Sequence, residues 1–422
     1  MTETQDLAYG FDFGTSNSSI AVLRADGRPE LIPCGGTGVE ASVLFFPGPT
    51  SSEFYVGKGA LDEYLAAGRR GRFMQSLKSL LPHKSFTGTN LYGTWFEPQE
   101  IVALILRRLK EEADQVVGQE VKRVVLGRPV LFSENTEEDE LAQKRLAEAA
   151  RLAGFSRIEF QYEPMGAAYS YERRLTREEL VLVVDLGAGT SDLTVIRLRP
   201  GAKAARERSK DILGNAGVHV GGNDFDAAIM WRKLVPYFGY GAKYDAWGKW
   251  LDLPNAMFRN LCNWEWMAFL REGRMREDLD LFLRRSDSPE RIKRLITLVD
   301  HDLGFGLFKS IERAKMGLTD LETVSLEFHE EGLDIDEQVS RNDFAEWISG
   351  EVNAIQGCVD RLLVKSGVKA EQIDSVFLTG GSSKVPVIRR LFERTFGREK
   401  FREGETFTSV ALGLALLSGE VF

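Results

Sequence analysis

A twelve-residue pattern occurs twice in this 422-residue chain, and it constrains the fold more than any other stretch. Phe11-Asp12-Phe13-Gly14-Thr15-Ser16-Asn17-Ser18-Ser19-Ile20-Ala21-Val22 is echoed by Val184-Asp185-Leu186-Gly187-Ala188-Gly189-Thr190-Ser191-Asp192-Leu193-Thr194-Val195, an offset of 185 − 12 = 173 residues. Each copy reads as an apolar strand carrying an aspartate, a glycine with a small hydroxylated turn, and a second apolar strand. Two such units imply two related lobes, each contributing a hairpin to a shared cleft. A Gly/Ser/Thr turn brings backbone N–H groups and hydroxyls together, which suits a polyphosphate. An aspartate beside that turn repels phosphate unless a hydrated Mg²⁺ ion stands between them. Asp12 and Asp185 are therefore read as metal ligands acting through water. The plainer reading, that each Asp and Gly only shapes a hairpin, weakens once the pattern recurs.

The rest of the chain alternates strands with helices, an α/β architecture. Tyr9–Arg24 reads as strand, turn, strand. Ile101, Leu104, Ile105 and Leu109 share one face of a helix over Pro98–Glu120, with Pro98 in its first turn. Val121–Leu126 is a short buried strand, and Thr136 is the expected cap of a helix running to about Ala153. The acidic run Glu137-Glu138-Asp139-Glu140 then sits in a first helical turn, where the dipole favours it. Arg199–Lys210 is basic, with Pro200 and Gly201, and reads as an exposed loop. Between Asp226 and Glu312 lies a stretch expected to be helical, with Trp231, Trp247, Trp250, Trp264 and Trp266. We expect these tryptophans to form a local core, an exposed partner-binding surface being the alternative. Strand pattern returns at Asp374–Thr379, before a helix from about Val385.

Composition removes several function classes. Lys plus Arg total 54 against 63 Asp plus Glu, a net charge of −9, so no basic excess exists to coat nucleic acid. Cys34, Cys262 and Cys358 form neither a disulfide framework nor a Cys-x-x-Cys knuckle, and the four histidines make no His-x-x-x-His pair. Met1–Asp12, with Glu3 and Asp6, is no signal peptide. Apolar runs such as Val410–Leu417 fall short of a membrane span. A cytoplasmic protein follows as the expectation. No Gly-x-x-x-x-Gly-Lys-Ser/Thr occurs, and Gly35-Gly36-Thr37-Gly38 lacks dinucleotide-fold spacing.

Further elements complete a resemblance. Glu163-Pro164-Met165-Gly166-Ala167-Ala168, His219-Val220-Gly221-Gly222-Asn223-Asp224-Phe225-Asp226, Ile311-Glu312-Arg313-Ala314-Lys315 and Leu378-Thr379-Gly380-Gly381-Ser382-Ser383-Lys384-Val385-Pro386 follow the two hairpins in order. Together they resemble the nucleotide-binding domain of the seventy-kilodalton heat-shock (DnaK-type) chaperones, within the actin and hexokinase superfamily. The chain looks like a stand-alone, YegD-like homologue without the peptide-binding domain. The resemblance implies a two-lobed actin-like ATPase fold with ribonuclease H-like duplicated lobes. Lobe I would span 1–176, completed by a C-terminal helix at 408–422. Lobe II would span 177–407, with the Trp-rich insertion at about 227–305.

The same resemblance implies roles. Asp12 and Asp185 organise Mg²⁺, while Gly14, Thr15, Ser16, Asn17, Gly187, Gly189 and Thr190 cradle phosphates of ATP or ADP. Lys78 corresponds to the lysine that positions the γ-phosphate and the attacking water. Glu163 and Asp192 orient water, completing with Lys78 and Asp185 the catalytic set. Gly221, Gly222, Glu312, Lys315, Thr319, Gly380, Gly381, Ser382 and Lys384 hold ribose, adenine and nearby phosphate. The chain departs from the family at Met316 and Lys384, each replacing an arginine of the adenine pocket, at Ala188 for a loop glycine, and at Phe407 for an aspartate near the base. A thioether packs on a base but offers no cation. The implied function is slow, Mg²⁺-dependent ATP hydrolysis switching a surface that a protein partner reads, or, alternatively, nucleotide-dependent scaffolding without turnover.

Overall fold

The computed structural model describes residues 7–48, 53–68, 71–133, 135–201, 208–263, 270, 273–301, 303–330, 332–402 and 409–422. Phe407, Trp264 and Trp266 lie outside the described residues, as do 202–207 of the basic loop. The chain folds into two compact units. One is Met1–His219 with Gln356–Ser383 and Phe392–Phe422; the other is Val220–Ile355 with Lys384–Leu391.

The first unit holds two sheets, and each contains one copy of the repeated pattern. In the first sheet the order is Arg157–Tyr162, Arg123–Arg128, Ala8–Phe13, Asn17–Leu23, Pro29–Leu31, with Glu40–Ala41 also on Asn17–Leu23. In the second it is Ile212–Val218, Ser191–Leu198, Glu179–Leu186, Ser375–Thr379. The sequence repeat is also a repeat of strand register. Asp12 faces Ser19 across one antiparallel pair and Asp185 faces Asp192 across the other, and 19 + 173 = 192. The turns repeat too: Gly14 N–H donates to the Asn17 carbonyl at 3.0 Å, and Gly187 N–H to the Thr190 carbonyl at 2.9 Å. Each aspartate-bearing strand has a parallel neighbour on its other flank, Arg123–Arg128 in one sheet and Ser375–Thr379 in the other. Strands so enclosed are apolar almost throughout, and Asp12 is the only incompletely buried position of Ala8–Phe13.

Helices Pro98–Val117 and Thr136–Leu152 pack together and close a core with the first sheet, formed by Tyr9, Phe11, Ile20, Ile101, Ile105 and Leu146. Helix Ser409–Val421 packs on Ala8–Phe13 and on helix Glu163–Glu172. It approaches so closely that a Cβ on Gly10 would sit 2.1 Å from the Ala415 nitrogen. Pro98 opens its helix behind a Glu97–Glu100 capping box, as its first-turn placement requires.

Two local expectations change. The second helix is capped by Asn135, whose side chain accepts from Glu137 and Glu138 N–H, and Thr136 is its first residue. Asp139 does more than complement the dipole: both its oxygens accept from Arg128 Nη2 at 2.8 Å, and Oδ1 also accepts from Phe132 N–H.

The second unit contains helices Gly222–Ile229, Asn255–Leu261, Gly273–Arg285, Pro289–Asp300 and Gly304–Gly317, and the hairpin Thr323–Glu330 with Leu333–Ser340. The Trp-rich stretch is not wholly helical. Lys243–Ala246 and Lys249–Asp252 form an antiparallel hairpin within it. Trp231 is half-buried and packs on Tyr240 with ring centroids 4.9 Å apart and planes tilted by 59°. Trp247 and Trp250, by contrast, are 84% and 55% exposed, so the expected core does not include them. Trp247 occupies the hairpin turn at φ 54°, before Gly248 at φ 88°, and a side chain at that corner points away from any core. Arg285 covers its ring at 5.2 Å.

Candidate nucleotide-binding site

Glu163 opens helix Glu163–Glu172, where Pro164 suits the first turn and the dipole favours an acid. Lys78 sits in the single 3-10 turn Leu77–Leu80, entered through Ser76 in the left-handed region at φ 56°. Lys78 Nζ donates to Glu163 Oε1 at 2.7 Å, and both residues are buried. Asp12 and Asp185 reach the same place from the two repeated hairpins, and Asp192 faces Asp185 across its strand pair.

The electrostatics show how crowded this place is. Burial raises Asp12 to about 8, with Glu163 and Asp185 adding to the rise and Lys78 opposing it. Although part of the residue reaches the surface, its carboxyl lies among protein atoms. Burial likewise lifts Asp192 to about 7, helped by Asp185 and opposed by the Thr190 hydroxyl, which donates at 2.9 Å. Burial also raises Glu163 against the pull of Lys78, and raises Asp185 against the hydroxyl of Thr379, 3.0 Å away, and Lys78. Burial alone would lower Lys78, but Glu163, Asp12 and Asp185 together hold it above its ordinary value. One ammonium thus serves four carboxylates. Glu163, Asp185, Asp192 and Thr379 line a cavity of about 20 Å³, room for roughly one water.

The turns that should cradle phosphate are open. Ser16 and Asn17 are exposed, and Gly14, Thr15, Gly187, Gly189 and Thr190 are half-buried. Gly380 has φ 77°, and a Cβ there would meet the Leu186 carbonyl at 2.2 Å, so the 380–382 loop lies against the second hairpin. Ser382 Oγ pins it there by donating to the Gly187 carbonyl at 3.1 Å, while Gly381 stays exposed.

Gly221, Gly222, Glu312, Lys315, Thr319 and Lys384 belong to the second unit. Lys315 Nζ donates to the Gly222 carbonyl at 3.1 Å and to Asp226 Oδ2 at 2.8 Å. Gly221 N–H donates to Asp224 Oδ2 at 2.8 Å, Glu312 pairs with Lys309 at 2.6 Å, and the Thr319 carbonyl accepts from Arg341. Lys384 and Met316 are exposed, Met316 by 64%. Thr379 and Asp226 were not singled out from sequence, although both stand inside the recognised motifs. Asp226 is buried, raised to about 6 by that burial against Lys315, and its Oδ1 has no partner among the described residues.

Two sheets built on one repeated hairpin, with an acidic pocket where the copies meet, define a duplicated actin-like ATPase fold. A family model described as Hsp70 protein matches residues 73–246 and 304–421, skipping the segment that contains Trp247 and Trp250. The chain belongs to the Hsp70 family. It is 28% identical to the chaperone protein DnaK of Thermus thermophilus over 439 aligned residues, covering 98% of this chain and 60% of that protein. It is 27% identical to those of Thermotoga petrophila, over 99% of this chain and 60% of the relative, and Thermosipho melanesiensis, over 100% and 61%. The chain thus spans about 60% of the length of the curated relatives it matches. Among the described residues, no helix is long and apolar enough to cross a membrane.

Proposed function

We propose that this chain is an Mg²⁺-dependent ATP-binding protein with slow ATP hydrolysis, a DnaK-type nucleotide switch acting through a protein partner in the cytoplasm. The buried Lys78–Glu163 pair, set among Asp12, Asp185 and Asp192, is the observation that carries this reading. Hard oxygen donors in excess of local positive charge fit a hydrated divalent ion and offer a soft metal nothing. Mg²⁺, when bound, supplies charge neutralisation of the β- and γ-phosphates. Asp12 and Asp185 hold it through water. Lys78 presents its ammonium where γ-phosphate charge accumulates, and Glu163 fixes the direction of that ammonium. Asp192, facing Asp185 across its strand pair, orients water beside that ion together with Glu163. The turns holding Gly14, Thr15, Ser16 and Asn17, and Gly187, Gly189 and Thr190, cradle the phosphates. Gly221, Gly222, Glu312, Lys315, Thr319, Gly380, Gly381, Ser382 and Lys384 receive the nucleoside. The lobes in this reading are 1–176, completed by the C-terminal helix, and 177–407.

A second reading, nucleotide-dependent scaffolding without turnover, is favoured by Met316, which leaves the base without the family's arginine. Mg·ATP binding and steady-state hydrolysis of wild type, Lys78→Ala and Asp185→Ala separate the two. Turnover that collapses in both variants supports the switch; binding without turnover, indifferent to Lys78→Ala, supports the scaffold. No binding by wild type sinks both.

A further inference from the structure

The segment carrying Lys78 has little regular structure to hold it. Its 3-10 turn is one turn long, and Ser76 before it is strained at φ 56°. Such a conformation persists only where the surroundings over-determine it. At the end of the turn and just beyond it, four backbone carbonyls converge on one side chain. Arg145, on helix Thr136–Leu152, donates from Nη1 to Leu81 O at 2.9 Å, His83 O at 3.0 Å and, at the limit of 3.5 Å, Leu80 O. Its Nη2 donates to Phe86 O at 3.0 Å. Leu81 connects this clasp to the lysine, because its N–H donates to the Lys78 carbonyl at 3.2 Å while its own carbonyl accepts from Arg145. Carbonyls at the end of a helical turn present partial negative charge, and a planar fork of donors spans several at once where an ammonium cannot. Lys84, in the same loop, is tied to Glu137 of the same helix.

We propose that Arg145 is the positioning residue for Lys78: by clasping residues 80–86 it fixes the backbone from which Lys78 reaches Glu163. The proposal rests on the reading of Lys78 as the γ-phosphate group. It adds that the lysine's aim is set from helix Thr136–Leu152, not from within its own turn. Displacement of a reacting group by about 1 Å costs roughly a hundredfold in rate. Arg145→Ala should therefore lower kcat while leaving nucleotide affinity nearly intact.

The test uses two readouts. Acylation of the folded, nucleotide-free protein with an acetylating reagent, read by mass spectrometry, reports how shielded Lys78 is, with exposed Lys144 as internal reference. In Arg145→Ala and Arg145→Lys, Lys78 labelling should rise about tenfold relative to Lys144, and kcat should fall about 10- to 100-fold with Mg·ATP affinity within about threefold. Arg151→Ala, which removes only an exposed ion pair with Glu148 on the same helix, should change none of these. Lys78 remaining as protected as in wild type in a folded Arg145→Ala protein overturns the proposal. If that variant fails to fold, unchanged protection in Arg145→Lys overturns it instead. Absence of turnover in wild type would defeat the functional reading alone, since the labelling experiment still decides what holds Lys78.

Discussion

Lys78 Nζ and Glu163 Oε1 stand 2.7 Å apart although 85 residues separate them in sequence, and both are buried. A buried pair broken from one side leaves an uncompensated charge, which costs about 3–5 kcal/mol unless the survivor changes protonation. Glu163, already raised by burial, has that escape. Lys78→Ala should thus fold, lower ATP turnover by about 10²–10³-fold, and leave binding within an order of magnitude. Its melting temperature should lose more at pH 8 than at pH 5. Turnover and calorimetric melts at both values check this.

The carboxyls predict the direction of a pH effect. Asp12 and Asp192 titrate near 8 and 7 when folded, far above the ordinary aspartate value of about 3.9. Between those limits the folded protein holds protons that the unfolded chain has released. Stability without metal or nucleotide should therefore fall as pH rises from about 4 to about 8. Mg·ATP should restore it, most strongly at the alkaline end, with proton release on binding. Melts across pH with and without Mg·ATP test this, and a flat profile would contradict it.

Asp12→Asn removes a buried acid that resists ionisation. We expect Tm without ligand to rise on the order of 2–5 °C at pH 8, while the stabilisation by Mg·ATP is largely lost. A variant more stable yet unable to use magnesium would separate the site's cost from its use, and differential scanning calorimetry reads both.

Gly10→Ala puts a methyl group against the backbone of helix Ser409–Val421, which cannot yield as a flexible side chain does. The expected loss is at least about 3 kcal/mol, with the C-terminal helix becoming susceptible to proteolysis before the rest. Urea unfolding and limited digestion measure these.

Trp247→Asn should relieve the strained turn and lose the contact with Arg285, two effects of about 1 kcal/mol and opposite sign. Tm should hence move by less than about 2 °C, while a red-shifted, acrylamide-quenchable part of the tryptophan fluorescence disappears.

What could be read from sequence was local or repeated. The hairpin pattern recurs within short windows, so it gave away both aspartates, both turns and their strands. Asn135 and Thr136 are both good capping residues, and only the extended backbone of Asn135 separates them. The tryptophans misled because apolar composition says nothing about which way a hairpin corner points. Thr379 and Arg145 act through partners distant in sequence, Thr379 on Asp185 194 residues away and Arg145 on carbonyls 59 to 65 residues away, so no local spacing announces them.

Across the strand pair, the first hairpin sets Ser19 where the second sets Asp192, and the Ser19 hydroxyl is buried without a partner among the described residues. Two hairpins of one register thus differ in the residue set opposite the aspartate. The first sets a neutral hydroxyl against its aspartate, and the second sets another acid, lifted by burial to about 7. Exchanging only residues 19 and 192 would ask whether the two halves of the cleft are interchangeable tools or have become left and right hands.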